Sequence, residues 1–308
     1  MTTAITNSTR GIRRTHQVLT SPWATIGAII IAAVWTLPTF GLLLSSFRPA
    51  SAITTSGWWT FFSDPELTID NYAQTLQAKS GITMAQSLAN SLTITLPATV
   101  IPIALALLAA YALAWIDFRG RHILFTMIFA LQIVPLQMLL VPLLKLYTGG
   151  VSLFGEPIFP ALVGTSQSSG FAQVWITHTM SALPLAIFML HNSLAQIPAE
   201  VMEAAQIDGA GHGQILLRLA LPLAAPTIAS YAIFQFLWTW NDLLVATIFT
   251  SGKNAPVTKL LADLSGVYGQ RWYLLTAGTF IAIVIPLIVF FALQRFFVRG
   301  LLAGSTKG

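Results

Sequence analysis

The 308-residue chain contains no cysteine. That excludes a disulfide framework, a thiol nucleophile and a cysteine-based metal site. Charge is scarce as well: only 8% of the residues are Asp, Glu, Lys or Arg, against about 25% in soluble domains. No Gly-x-x-x-x-Gly-Lys-Ser/Thr cradle occurs, so the chain does not hold ATP by that route. It also lacks a His-Glu-x-x-His pair, a Gly-x-Ser-x-Gly elbow and any cluster with metal-ligand spacing, the usual sequence marks of a hydrolase centre. Its 15 Lys and Arg are scattered, with no basic stripe interleaved with aromatics. The net charge of +5 is therefore not the footprint of nucleic-acid binding.

What is present is apolar surface: 55% of the residues are hydrophobic and the mean hydropathy is +0.75. Such a composition predicts an all-α, polytopic membrane protein in contact with lipid. Residues 1–22 are polar, with Arg10, Arg13 and Arg14 and no acid, and read as a cytosolic tail. Apolar runs at 23–47, 88–116, 123–144, 171–194, 219–248 and 273–293 predict six spans. The first is too long for a signal-peptide core and lacks a small-x-small cleavage site, so it is expected to stay attached. Pro38 predicts a kink in it; Pro97 and Pro102 predict irregular backbone in the second span; Pro135 and Pro142 fall inside the third. Residues 48–83 and 252–272 read as outer loops, and 145–170, rich in Gly and Ser, as an outer segment with room for a short helix. The membrane body is bounded at 23–298, with 299–308 as a second tail.

The distribution of charge orients this arrangement. With the N-terminus inside, the inner segments hold nine cations and four acids, the outer ones six of each, a bias in the positive-inside direction. Six spans then put both termini in the cytosol. Among ionisable residues, only His178 and His191 fall within spans, and Asp242 sits near an outer end. A proton-coupled carrier needs a buried acid in its path, and lone histidines are more often packing residues.

The longest polar interruption in the second half is Pro198 to Pro222. Pro198 suits the first helical position, and Glu200 and Glu203 suit the positive end of the helix dipole. Val201, Ala204, Ala205 and Asp208 follow helical spacing and share a face. Gly209 then ends that helix, and a second helix restarts near His212, carrying Ile215, Leu216 and Leu219 towards the membrane. The prediction is a helix, a glycine turn and a helix along the membrane surface.

Glu203-Ala204-Ala205, three free positions, Gly209, nine free positions, then Leu219-x-Leu221-Pro222 resembles the signature of ABC importer permeases. Leu219 stands where isoleucine is usual. Glu203 to Ala210 resembles the sugar-importer form of that signature. Other segments are similar to the same family: Ser46-Phe47-Arg48-Pro49, Leu67 to Tyr72, Asn90-Ser91-Leu92, Ala109 to Ala112, Trp240-Asn241-Asp242 and the tail from Gln294. In that tail Ser305-Thr306 replaces the family's Ala-Val. The chain is thereby identified as a member of the carbohydrate importer permeases of the MalG type, for maltose and alpha-glucosides. Pro97 to Pro102, Ala109 to Trp115 and Val134 to Gln137 carry the likeness to that branch.

The resemblance implies a type I importer permease fold in a prokaryotic plasma membrane, and a non-catalytic subunit with no cofactor of its own. ATP and Mg would lie in a partner. The implied partners are a homologous second permease subunit, two copies of a cytosolic ATPase and an extracytoplasmic sugar-binding protein, with lipid around and no nucleic acid. Glu203, Ala204, Ala205, Asp208, Gly209, Leu221 and Pro222 would form the ATPase-coupling element. Gly304 and Lys307 would reach the ATPase pair, and the 252–272 loop the binding protein. Asn90, Asn241 and Asp242 are candidates to line the translocation path or brace it, with Trp240 read as packing. The rival expectations are a stand-alone secondary transporter or channel, and an importer for another solute such as glycerol phosphate.

Overall fold

The computed structural model describes residues 22–77, 81–153, 156–159, 161, 169–265 and 271–305, with no side chain described beyond Gln294. The architecture is almost wholly helical. Helix α1 (Pro22–Ser46) leads into an outer cap made of α2 (Ala50–Thr55), a single-turn helix (Trp58–Phe62) and α3 (Asp70–Gln77). Then come α4 (Met84–Trp115), α5 (Arg121–Ala130) and α6 (Leu136–Gly149). A two-stranded antiparallel ribbon follows, β1 (Val151–Leu153) and β2 (Glu156–Phe159). The second half comprises α7 (Ser169–Leu194), α8 (Ala199–Ile207), α9 (His212–Ile215), α10 (Leu221–Trp240), α11 (Leu244–Phe249), α12 (Val257–Ser265) and α13 (Trp272–Ser305).

Among the described residues, five stretches are long and apolar enough to cross a membrane, and the bent pair Arg121–Ile133 and Leu136–Gly149 makes a sixth if counted as one. The predicted third span is therefore broken, with a bend of 98°. Pro135 explains the site of the break: it pushes Val134 to an extended conformation and starts α6. The predicted fifth span shifts too. It starts at His212 and ends at Trp240, because the turn at Asn241 to Leu243 separates α10 from α11. The helix at His212 is thus the first turn of a span, not a separate surface helix. Within 145–170, Gly150, with φ +67°, ends α6 and the ribbon follows, where β-branched and aromatic residues lie; most of the rest of that segment lies outside the described residues. The last helix continues to Ser305, so Gly304 is helical; residues 1–21 and Lys307 lie outside the described residues.

The second span is the clearest correction. Pro97 and Pro102 predict irregular backbone, yet α4 is one unbroken helix of 32 residues. Each proline, lacking an N–H, frees the carbonyl four residues earlier, here those of Thr93 and Ala98. The indole N–H of Trp175 donates to Thr93 O at 2.9 Å, and Gln235 Nε2 donates to Ala98 O at 3.3 Å. Neighbouring helices α7 and α10 thus supply the two missing donors, which is how proline is accommodated inside lipid. Helices α4 and α7 form the most extensive helix pair, and α10 packs on both.

Two distant motifs meet in the outer cap. Arg48, only 3% exposed, donates to Gly57 O, Ser56 Oγ and Thr60 Oγ1 at 2.8 to 3.0 Å. Asn71 Nδ2 donates to the carbonyls of Ser46 and Arg48, and Ser46 Oγ lies 2.7 Å from Tyr72 Oη. The Phe47 and Tyr72 rings pack 4.9 Å apart. On α1, a Cβ at Gly41 would stand 2.6 Å from the Trp58 ring, so only glycine admits the cap this close.

Candidate functional site

Helix α8 forms a short knuckle between two spans. Pro198 is its N-cap, one position outside the predicted start, and Glu200 lies in the first turn. The end is a full Schellman motif: Gly209 N–H bonds to Gln206 O and Ala210 N–H to Ala205 O, with Gly209 at φ +81°. Buried Met202 anchors the knuckle in a core shared with Leu194, Ile197, Ile215 and Leu216. The opposite face is open. Glu200, Val201, Glu203, Ala204 and Asp208 are all exposed. Glu203 and Asp208 make no ion pair or side-chain hydrogen bond among the described residues, and neither does Arg218 on the following turn. Ile207 is 86% exposed, a large apolar side chain projecting between acids. Sequence reading missed Ile207 as a site residue; its position between the Glu-Ala-Ala and the Asp-Gly was the available signal.

The knuckle is tied to the spans on both sides. Tyr111 Oη lies 3.1 Å from His212 Nδ1, and Trp115 Nε1 donates to Leu194 O at 3.2 Å, so the inner end of α4 grips the chain before and after α8. Residues Leu216–Ala220 form a π-helical turn. Pro222 is the reason: it cannot bond to the carbonyl of Arg218, and Leu221 N–H reaches back five residues to Leu216 O instead. Leu221 and Pro222 thereby set the direction in which α10 leaves the knuckle.

The path candidates fall at the other end of the bundle. Asn90 uses both amide hydrogens on the carbonyls of Lys253 and Ala255 at 2.7 and 3.0 Å, bracing the outer loop. Asn241 and Asp242 line a cavity of about 560 Å³ together with Gln137 and Trp238. The Asp242 carboxylate accepts the N–H groups of Val245 and Ala246 and so caps α11. It also lies 3.6 Å from the fully buried His178 imidazole, a pairing across two helices that spacing along the chain does not reveal. Trp240 is buried and stacked on Phe236. No group of three or more His, Cys, Asp or Glu placed to hold a metal ion occurs among the described residues.

Three comparisons bear on this arrangement. A family model described as "Binding-protein-dependent transport system inner membrane component" matches residues 102–302. The osmoprotective compounds uptake permease protein of a Synechocystis species is 48% identical over 288 residues, covering 92% of this chain and 91% of that one. The alpha-glucoside transport system permease protein of Rhizobium meliloti is 49% identical over 253 residues, covering 82% of this chain but 63% of its own length. In shape, the permease architecture of a bacterial ABC transporter importing the acidic polysaccharide alginate matches with TM-score 0.66 at 15% identity, over 92% of this chain and 99% of that one. A helical multi-pass body, an exposed acidic knuckle between two of its spans and a match across two-thirds of the sequence lead to one conclusion: the chain belongs to the inner membrane components of binding-protein-dependent transport systems, the permeases of ABC importers.

Proposed function

We propose that this chain is one of two homologous permease subunits of an ATP-driven importer of alpha-glucosides, with both termini and α8 in the cytosol. The name of the Rhizobium meliloti relative supports an alpha-glucoside, and that of the Synechocystis relative an osmoprotective compound. Two copies of an ATPase would hold ATP and Mg, and an extracytoplasmic binding protein would deliver the sugar to the outer cap and the 252–272 loop. The C-terminal residues, Gly304 and Lys307 among them, would reach the ATPase pair.

The observation that carries this reading is the open face of α8. Ile207 would bury in a groove of the ATPase, and Glu203 would pair with a cation there. Closure of the ATPase pair then pulls on α8. Because α8 is gripped by Tyr111, Trp115 and the π turn, the pull passes to α4, α7 and α10 as a rigid displacement, and the two permease subunits switch between inward- and outward-open states. The chain contributes position and leverage; hydrolysis belongs to the partner.

The test is Glu203→Arg, measured in cells as alpha-glucoside uptake and in purified complex as transport-stimulated ATP hydrolysis. Breaking a desolvated charge pair costs about 2–5 kcal/mol, so uptake should fall by well over an order of magnitude while membrane insertion stays normal. Unchanged uptake and unchanged stimulated hydrolysis would remove the coupling role. Uptake that persists in vesicles without the ATPase would instead favour a stand-alone carrier.

A further inference from the structure

The broken third span opens a trough that the importer architecture leaves unassigned. Its bend lies at Val134 and Pro135, between helical arms of similar length, which places non-helical backbone at membrane depth. Such backbone persists in lipid only where it is buried in protein or lines a water-filled cavity. Here it is exposed and borders two adjoining cavities of about 310 and 560 Å³, which share Gln137, Phe234 and Trp238. Their size falls in the range of small-ligand sites, roughly 300–1,000 Å³.

The lining has a definite chemistry. Phe234 and Trp238, one helical turn apart on α10, are 47% and 55% exposed, with ring centroids 5.8 Å apart and planes tilted by 31°. They form a continuous aromatic shelf. Facing it across the bend are Gln132 and Gln137, both exposed and neither with a side-chain hydrogen-bond partner among the described residues. Asn241 closes the outer end. An acyl chain would satisfy the shelf but leave two amides unpaired in hydrocarbon, which is costly. Water alone would satisfy the amides but not the shelf. A neutral sugar ring satisfies both, since its C–H face stacks on aromatic planes while its hydroxyls pair with amides.

We infer that this trough is a saccharide subsite contributed by this chain itself, with Trp238 and Phe234 as the stacking platform and Gln132 and Gln137 as hydroxyl partners. The inference rests on the importer reading above and deepens it: sugar recognition is then not left wholly to the second permease subunit.

The absence of native cysteine provides a direct test. A Gln137→Cys variant of the full transporter, in freeze–thawed membrane vesicles, is treated with a water-soluble methanethiosulfonate, with and without maltose, trehalose or sucrose, mannitol serving as control. The expected result is rapid labelling of this chain that at least one of the three glucosides slows and mannitol does not. A saccharide at roughly ten times its dissociation constant protects about tenfold by mass action. Absence of labelling means that lipid or a partner helix fills the trough, and labelling that no glucoside slows means that water alone does; either overturns the subsite.

Uptake gives the second reading. Trp238→Phe should keep at least half of the maximal rate, and Trp238→Ala should lose about tenfold of it. The half-saturating concentration, set by the external binding protein, should stay unchanged in both. Equal rates for Trp238→Ala and wild type would also overturn the subsite. Failure of the importer reading is distinguishable, because it appears as wild-type uptake without the ATPase, whereas failure of the subsite alone appears in a transporter whose uptake remains ATP-dependent.

Discussion

The cap and the knuckle use polar residues in opposite ways. In the cap, motif residues are consumed internally, Arg48 by three oxygens and Asn71 by two carbonyls, and Asn90 on α4 meets two more. In the knuckle, Glu203 and Asp208 are solvated and Ile207 projects outwards. A buried cation with three acceptors is part of the fold. An exposed acid beside an exposed isoleucine adds nothing to the isolated chain, so its chemistry is available to a partner. The comparison therefore reads the cap motifs as part of the fold and leaves the knuckle motif free for the coupling role proposed above.

The sharpest way to break this division is Arg48→Ala. It removes the buried cation that ties Gly57 O, Ser56 Oγ and Thr60 Oγ1 to the end of α1 and should destabilise the purified transporter by about 2–4 kcal/mol. Thermal unfolding in detergent should show the loss, while the ATP hydrolysed per sugar by the surviving protein stays normal. Ile207→Ala should do the reverse. Removing an apolar side chain that buries on docking is worth about 1.5 kcal/mol or more, so uptake should drop roughly tenfold with no change in the unfolding curve.

Gly209→Ala probes the boundary between the two roles. Open space surrounds a Cβ there, but the left-handed conformation at φ +81° costs a non-glycine residue about 1–2 kcal/mol. Both unfolding temperature and uptake should fall modestly. The smallest effect is expected from Trp175→Phe, which keeps the ring but orphans the Thr93 carbonyl. Polar contacts between helices in membranes average about 0.6 kcal/mol, so a shift of a few degrees in thermal unfolding is expected, with transport intact. A change of several kcal/mol at either Gly209 or Trp175 would show that the division is drawn in the wrong place.

Much of this was legible in the sequence, and the exceptions share one cause. Hydropathy and length located the spans, and Gly209 announced the end of α8, because both follow from local physics. The continuity of α4 through Pro97 and Pro102 was not legible. It depends on donors from Trp175 and Gln235, far away in sequence, and proline chemistry alone predicts the opposite. The bend at Pro135 was not legible either: Pro38, Pro142, Pro184, Pro226 and Pro286 also lie inside helices, so proline alone does not say which helix breaks. The pairing of His178 with Asp242 and the trough beneath Trp238 likewise arise only when α7, α10 and the broken span converge. Of the element proposed for coupling, Glu203 and Gly209 were picked out by motif spacing, whereas Ile207 emerged from its exposure.

The central claim is that α8 faces the cytosol and carries a partner's motion into the bundle. An Ile207→Cys variant tests it most directly, with a membrane-impermeant maleimide applied to intact cells and to inverted vesicles. The account predicts labelling in inverted vesicles stripped of the ATPase, protection when the ATPase is restored, and no labelling in intact cells. Labelling from outside intact cells, or labelling in inverted vesicles that the restored ATPase leaves unchanged, would contradict it.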